Sequence, residues 1–157
     1  MANYKDWYNE VVDNPQKLSE ALVAFENEFL KGNELLTIEG NLIELIKYHS
    51  GYLAYYDTMH TQLQCLRDYY EGELNRIRAI ALKEMLDNPP TNKAPNATQT
   101  NKLVDQDERV VEALSLYNDV SYMYKKFNAI MKGFESRGYS LGQLTELKKH
   151  GLEEARV

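Results

Sequence analysis

The sequence has little of what disulfide-stabilised or membrane-spanning proteins need. Cys65 is the only cysteine among 157 residues, which excludes an internal disulfide and makes a reducing cytosol the expected setting. No apolar run approaches the roughly 18 residues of a membrane span, and the opening MANYKDWYNE lacks the apolar core of a signal peptide. Neither an alternating strand pattern nor an internal repeat occurs. We therefore expect an all-α protein with no membrane attachment.

Catalytic and metal-binding motifs are also missing. The three imidazoles are His49, His60 and His150; the first two would lie about 16 Å apart along one helix, too far to share an ion. Cys65 has no second thiol for a zinc site. No P-loop, dinucleotide-binding or nucleophile-elbow motif is found. His49 falls in an apolar stripe, where a buried, hydrogen-bonded histidine is expected more often than a ligand. We predict no enzyme activity, no cofactor and no metal.

Charge is unevenly distributed along the chain. The net charge of −6 argues against nucleic acid, because phosphate contacts need Lys and Arg. Residues 121–151, however, carry six basic side chains against two acidic ones. A lysine-rich helix face is most often simply solvated. A phosphate-binding surface on this last third is the alternative, and the charge pattern leaves both open.

Helical periodicity accounts for most of the chain. Apolar side chains recur at alternating steps of four and three from Ile38 to Ile80, which is the 3.5-residue period of a coiled-coil seam, and again from Val110 to Phe134. Residues 87–101 hold three of the four prolines and no large apolar side chain. The pattern predicts one helical domain, 1–157, made of helices 14–31, 34–86, 105–137 and 140–150 with a flexible loop over 87–101. Predicted caps begin two of these helices, at Asn14-Pro15 and at Asp105 with Glu108, and two glycines are predicted to end helices, Gly32 and Gly138.

The longest predicted helix indicates self-association. At 1.5 Å per residue it would measure roughly 70 Å, more than a chain of this size can cover by itself. The predicted fold is therefore a pair of long antiparallel helices with coiled-coil-like packing and short terminal helices, assembling into a homo-oligomer. Packing inside the protomer is the alternative role for the many tyrosines. The predicted interface consists of stripe residues: Tyr52, Tyr56, Met59, Leu63, Tyr124 and Phe127.

Three short motifs follow one another along the two long helices. They are a D-Y-Y-x-G element, a D-x-x-V element and an S-R-G-Tyr element: Asp68-Tyr69-Tyr70-Glu71-Gly72, Asp107-Glu108-Arg109-Val110 and Ser136-Arg137-Gly138-Tyr139. In order and spacing they resemble the UvsY family, the recombination mediators of the T-even bacteriophages and their relatives. The resemblance covers residues 45–151.

This resemblance implies a non-enzymatic protein that binds single-stranded DNA. Such a protein loads a RecA-like phage recombinase while displacing the phage single-strand-binding protein. The resemblance also implies a ring-like homo-oligomer of the hexamer or heptamer class in the cytoplasm of the infected bacterial host. Where the family has a basic cluster before D-Y-Y-x-G, this chain has Arg67 as its one basic residue within 62–67.

Basic residues near the first motif and in the last third are the predicted phosphate contacts, with two adjacent tyrosines as stacking groups: Arg67, Arg76, Arg78, Lys125, Lys126, Lys132 and Arg137, with Tyr69 and Tyr70. Arg137 is carried over from the S-R-G element of the family. The competing hypothesis is a helical protein–protein adaptor or assembly chaperone without DNA binding, whose basic third contacts an acidic protein. Salt-dependent retention on single-stranded DNA separates the two.

Overall fold

Every regular element that the structure describes is a helix. A computed structural model of the protein describes residues 5–88 and 96–151. Its helices are α1 (Trp7–Asp13), a short 3₁₀ helix (Pro15–Lys17), α2 (Leu18–Leu35), α3 (Leu42–Asp87), α4 (Ala97–Asp105) and α5 (Glu108–Lys149). None of these helices is long and apolar enough to cross a membrane. The prediction of an all-α fold is confirmed.

The described residues divide into two compact units, and each is considered by itself. The first unit comprises 5–63 with 123–151, so it contains α1, α2, the start of α3 and the end of α5. The second unit comprises 64–88 with 96–122 and contains the rest of α3, α4 and the start of α5. The sequence pattern predicted one domain. The structure instead has two compact units, and α3 and α5 each contribute residues to both.

Aromatic side chains form the core of the first unit. The Phe25 ring of α2 meets Phe127 of α5 edge-on at 5.7 Å between centroids, and Tyr56 of α3 stacks on Phe134 at 5.1 Å. The Tyr56 hydroxyl donates a hydrogen bond to the Glu28 carbonyl of α2 at 3.0 Å. The Tyr56 ring also contacts Phe127 of α5. Tyr56 therefore joins α3 to α5 through its ring and to α2 through its hydroxyl group. Edge-to-face and offset pairs add about 0.5–1.5 kcal/mol each beyond the area they bury.

Small aliphatic side chains form the core of the second unit. Buried residues from α3, α4 and α5 pack together there: Leu74, Ala81, Val104, Val110 and Ala113. Two exposed ion pairs lie around this core, Arg109 with Glu84 at 2.6 Å and Arg78 with Asp105 at 3.2 Å. Exposed pairs of this kind contribute at most about 1 kcal/mol each, so the apolar contacts provide most of the stability of the unit.

Helix α4 begins inside the segment that the prolines predicted to be a loop. The Asn96 side chain accepts a hydrogen bond from the Gln99 amide, and the Gln99 side chain accepts one from the Asn96 amide, forming a capping box. Thr100 is buried on the inner side of this helix. The loop prediction is therefore wrong from Ala97 onward, because an N-x-x-Q signal outweighs the lack of large apolar residues. Residues 89–95 of the predicted loop lie outside the described residues.

Two glycines that were predicted to end helices lie inside them. Helix α2 continues past Gly32 to Leu35, and α5 continues past Gly138 to Lys149, so the predicted helix 140–150 is the end of α5. A Cβ at Gly32 would lie 2.7 Å from Ile130 Cδ1, and one at Gly138 would lie 2.6 Å from His49 Nε2. Both positions are glycine because another helix approaches closely, and not because the backbone turns there.

The remaining helix boundaries also differ from the sequence pattern. Asn14 does cap the following Pro15 turn, as predicted, but that turn is the 3₁₀ helix before α2. Helix α3 begins at Leu42 and not at 34, after a connection in which Gly40 has a φ of 103°. That left-handed conformation suits glycine and interrupts the apolar stripe at its start. Asp107, and not Asp105, accepts a hydrogen bond from the Arg109 amide at the start of α5.

We expect opposite effects from adding one methyl group at two helical glycines. Gly32→Ala should lower the free energy of unfolding by about 1–2 kcal/mol, because overpacking against Ile130 and Tyr56 outweighs the gain in helix propensity. Gly72→Ala should raise it by up to about 1 kcal/mol, since nothing lies within 4 Å of its Cβ. Urea denaturation followed by circular dichroism measures both. Equal stabilisation by the two variants would contradict the close packing at Gly32.

Candidate nucleic-acid interface

The predicted arginine contacts of the second unit are held in ion pairs. Arg67 pairs with Asp68 at 2.8 Å and Arg76 with Glu73 at 2.8 Å, while Arg78 pairs with Asp105. The Arg76 guanidinium holds the pKa of Glu73 below its usual range through their hydrogen bond. Each positive charge on this surface therefore has a carboxylate beside it. Phosphate would have to compete with that carboxylate, so these three arginines form a poor binding surface.

The tyrosine pair of the D-Y-Y-x-G element packs against itself. Tyr70 is only 5% exposed, and burial raises the pKa of its hydroxyl to about 12. Its ring meets Tyr69 edge-on at 5.2 Å between centroids. A base has no face of Tyr70 on which to stack, so its predicted stacking role is wrong. Tyr69 is half-buried and presents only part of its ring.

Lys126 is a packing cation of the first unit. Its ammonium group pairs with the Glu26 carboxylate of α2 and lies 4.3 Å from the centroid of the Phe29 ring. The side chain is half-buried, and it fastens α5 to α2. Its charge is thus already balanced within the protomer. We remove it from the set of predicted phosphate contacts.

Arg137 is buried, which corrects the most specific residue prediction that came from the family resemblance. The residue is 4% exposed, and its Nη1 lies 2.9 Å from Nδ1 of His49. Because an arginine can only donate, His49 must accept with a neutral ring. Burial lowers the pKa of His49, and the nearby Arg137 charge lowers it further. Within the described residues Arg137 has no carboxylate partner. A guanidinium in this position holds α3 against α5 and does not meet DNA phosphate.

The predicted oligomer interface also lies mostly inside the protomer. Tyr56, Met59, Leu63 and Phe127 are buried in the first unit. Tyr52 and Tyr124 are half-buried, and Tyr124 stacks on His60 at 4.8 Å between centroids. In each unit α5 packs against α3, so the protomer itself covers side chains that the sequence pattern assigned to contacts with a second copy. The interface prediction is wrong for the four buried residues.

One exposed face of α5 carries two of the predicted phosphate contacts, Lys125 and Lys132. Lys125, Lys132 and Tyr139 follow one another at seven-residue intervals in the first unit, with Ala129 and Ser136 between them. All five residues are exposed, and Tyr139 is 72% exposed. Seven residues correspond to two helical turns and a rise of about 10.5 Å, so the three long side chains project from nearly one line. We call this surface the α5 face.

The charge of the α5 face is available to a ligand. Neither Lys125 nor Lys132 forms an ion pair with any residue in 5–88 or 96–151. Glu135 is exposed one turn from Lys132 and reduces the local charge. Two unpaired ammonium groups can hold phosphates of one strand, and an accessible phenol ring next in line can stack on a base. Both lysines are among the predicted phosphate contacts but Tyr139 is not, although the four-and-three spacing from Lys125 to Tyr139 places all three on one helix face.

Metal-ligating side chains are scattered over the described part of the chain. No group of three or more His, Cys, Asp and Glu side chains there could hold a metal ion. No family model matches the sequence, and no curated protein and no solved structure matches it.

Proposed function

We propose that the protein is a non-enzymatic recombination mediator that binds single-stranded DNA. In this role it helps to load a RecA-like phage recombinase while a single-strand-binding protein is displaced, in the cytoplasm of an infected bacterium. The α5 face is the observation that supports DNA binding, because its two lysines have no carboxylate partner among the described residues. The order of the D-Y-Y-x-G and S-R-G-Tyr elements supports the mediator role.

The dimensions of the α5 face suit a single strand better than a duplex. Its two positive charges lie along one helix and are followed by an aromatic ring, so a flexible backbone can follow the charges while a base leaves the strand to stack on the ring. A duplex presents its bases inside, and Tyr139 would then have no stacking partner. A duplex contact would therefore use only the lysines and would be weaker.

The binding of one protomer would be weak, and this fits a homo-oligomer. Two lysines and one tyrosine form a small site, but linked copies engage one strand together and multiply their effective affinity. We propose a ring of the hexamer or heptamer class that presents several α5 faces. Because four of the six predicted interface residues are buried, subunit contacts in this proposal use the apolar start of α3, where three large side chains are exposed: Ile43, Ile46 and Tyr48.

The same apolar surface favours the adaptor as a second candidate. Exposed isoleucines at the start of a helix are suited to binding another protein, and the net charge of −6 suits a protein that does not bind DNA. In that case the lysines of the α5 face would contact an acidic protein. The two candidates differ in whether single-stranded DNA is retained at low salt.

Neutralising the lysines of the α5 face tests the DNA-binding proposal. We expect Lys125→Gln combined with Lys132→Gln to weaken binding to a 30-nucleotide dT oligonucleotide about tenfold or more at 50 mM salt. The slope of log K against log salt should become shallower by about 1.4, since each phosphate neutralised in a single strand contributes about 0.7. Fluorescence anisotropy over a salt series measures both quantities. Tyr139→Ala should weaken binding further without changing the slope, because stacking carries no charge.

A matched double variant controls for total charge. Lys83→Gln combined with Lys148→Gln removes the same two charges from exposed positions outside the α5 face. It should leave both the affinity and the salt slope close to those of the unmodified protein. No retention of the unmodified protein on dT at 50 mM salt would favour the adaptor. Equal losses in the two double variants would show that net charge, and not the α5 face, governs binding.

A further inference from the structure

A polar-rimmed cleft lies between α3 and α4 in the second unit. Its volume is about 350 Å³, within the range of small-molecule sites, and it is lined by three residues from each helix: Arg78, Ala79 and Leu82, with Asn101, Val104 and Asp105. Ala79, Leu82 and Val104 supply an apolar surface. Arg78, Asn101 and Asp105 supply the polar groups. This division into an apolar wall and a polar edge fits a flat heterocycle that stacks on one side and forms hydrogen bonds along one edge.

The polar groups of the cleft are oriented by an ion pair, but some of their hydrogen-bonding atoms have no partner. Arg78 Nη2 donates to Asp105 Oδ1 at 3.2 Å, which orients the carboxylate, and the two side chains remain 39% and 59% exposed. Arg78 Nε is buried and has no hydrogen-bond partner in the described part of the protein. An unpaired buried donor is costly, so a ligand that brings an acceptor to this arginine would be favoured. The ion pair leaves oxygen lone pairs of Asp105 available.

The donors and acceptors select among the four bases. A carboxylate only accepts hydrogen bonds, so it prefers an edge with two adjacent N–H donors. On its Watson–Crick edge guanine alone presents this pattern, with N1–H and the amino group side by side and the O6 acceptor next to them. Adenine and cytosine each place a ring-nitrogen acceptor beside their amino group, and thymine has a single N–H flanked by carbonyls. Those lone pairs would face the carboxylate and be repelled.

We infer that the α3–α4 cleft binds a guanine base, with Asp105 accepting from N1–H and the amino group and Arg78 donating toward O6. Asn101 provides a further amide at the rim, and the apolar wall receives the face of the base. The guanine can come from a free nucleotide or from a strand. The strand source rests on the proposed function, whereas binding of the free nucleotide does not.

Titration with free nucleotides tests the cleft directly. We expect GMP to shift the backbone amide resonances of residues 78–82 and 101–105 in ¹H–¹⁵N spectra and to bind at least about fivefold more tightly than AMP, CMP or dTMP. The phosphate is common to all four nucleotides, so the comparison isolates the base. Asp105→Asn should remove the preference for GMP, whereas Asp87→Asn, an exposed carboxylate outside the cleft, should keep it. Ala79→Phe fills the cleft while leaving the ion pair and should abolish the GMP shifts.

Oligonucleotides separate the two sources of guanine and the two proposals. A dT strand that contains two guanines should bind the unmodified protein about fivefold more tightly than dT alone, and Asp105→Asn should equalise the two. If the unmodified protein binds GMP but does not bind dT, the single-strand function is contradicted and a nucleotide site is supported. The inference is overturned if GMP binds no more tightly than AMP. It is also overturned if folded Asp105→Asn and Ala79→Phe variants both keep the preference for GMP. Neither result depends on whether dT binds.

Discussion

Phe127→Ala is expected to lower the free energy of unfolding by about 3–5 kcal/mol, the usual cost of truncating a buried phenylalanine. Phe127 is fully buried and contacts Phe25, Phe29 and Tyr56, so its removal opens a cavity where α2, α3 and α5 meet. Small domains are stable by only about 5–15 kcal/mol, so this loss is a large fraction of the total. Urea denaturation monitored by circular dichroism measures it, with Tyr139→Ala on the same helix as the exposed aromatic control.

The same experiment decides between a core and a subunit interface. If Phe127 belonged to an interface alone, the variant would be a folded monomer with unchanged secondary structure. We expect instead that it unfolds more easily at every protein concentration. Leu63→Asp should be more severe, because an unpaired carboxylate would be buried at a fully enclosed position. Tyr139→Ala should change the free energy of unfolding by no more than about 0.5 kcal/mol.

Acid is expected to destabilise the first unit through His49. Its imidazole accepts from Arg137, and burial followed by the Arg137 charge lowers its pKa below the value of about 6.5 found in unfolded chains. The unfolded state therefore binds the proton more readily than the folded state does. The stabilising contribution is complete above about pH 6.5 and declines as the pH falls below that value and through the folded pKa. Each unit of difference between the two pKa values corresponds to about 1.4 kcal/mol.

Two variants isolate this effect from the other histidines. His49→Gln keeps an oxygen that can accept from Arg137 but cannot titrate, so it should remove the His49 part of the loss between pH 7 and pH 5. Arg137→Gln removes the repelling charge and should reduce the loss without abolishing it, because burial remains the larger cause. Urea midpoints at pH 8, 7, 6 and 5 at constant ionic strength measure the dependence. Identical pH profiles for the unmodified protein and His49→Gln would contradict the neutral, accepting imidazole.

Local signals in the chain were sufficient to predict the type of structure. The stripes that contain Tyr56 and Leu63 on α3 and Phe127 on α5 have helical spacing, and all three residues are buried. The Asn14 side chain caps the 3₁₀ helix by accepting a hydrogen bond from the Gln16 amide, and Pro15 fixes the backbone of the first residue of that helix. Both signals are adjacent in sequence. The N-x-x-Q box at Asn96 is equally local and would have predicted α4. Such features depend on a few neighbouring residues, and a one-dimensional pattern contains them.

The partner of each face is decided by residues far apart in the chain. The stripe on α3 was predicted to need a second copy because its partner helix was expected only over 105–137, whereas α5 runs from Glu108 to Lys149. Arg137 resembled a surface cation until folding placed it against His49, 88 positions away. Gly32 and Gly138 looked like helix ends, yet each allows another helix to approach. Spacing determines which residues share a face, but burial depends on which distant surface covers that face. Only tertiary packing could therefore separate Lys125 and Lys132 from Lys126 and Arg137.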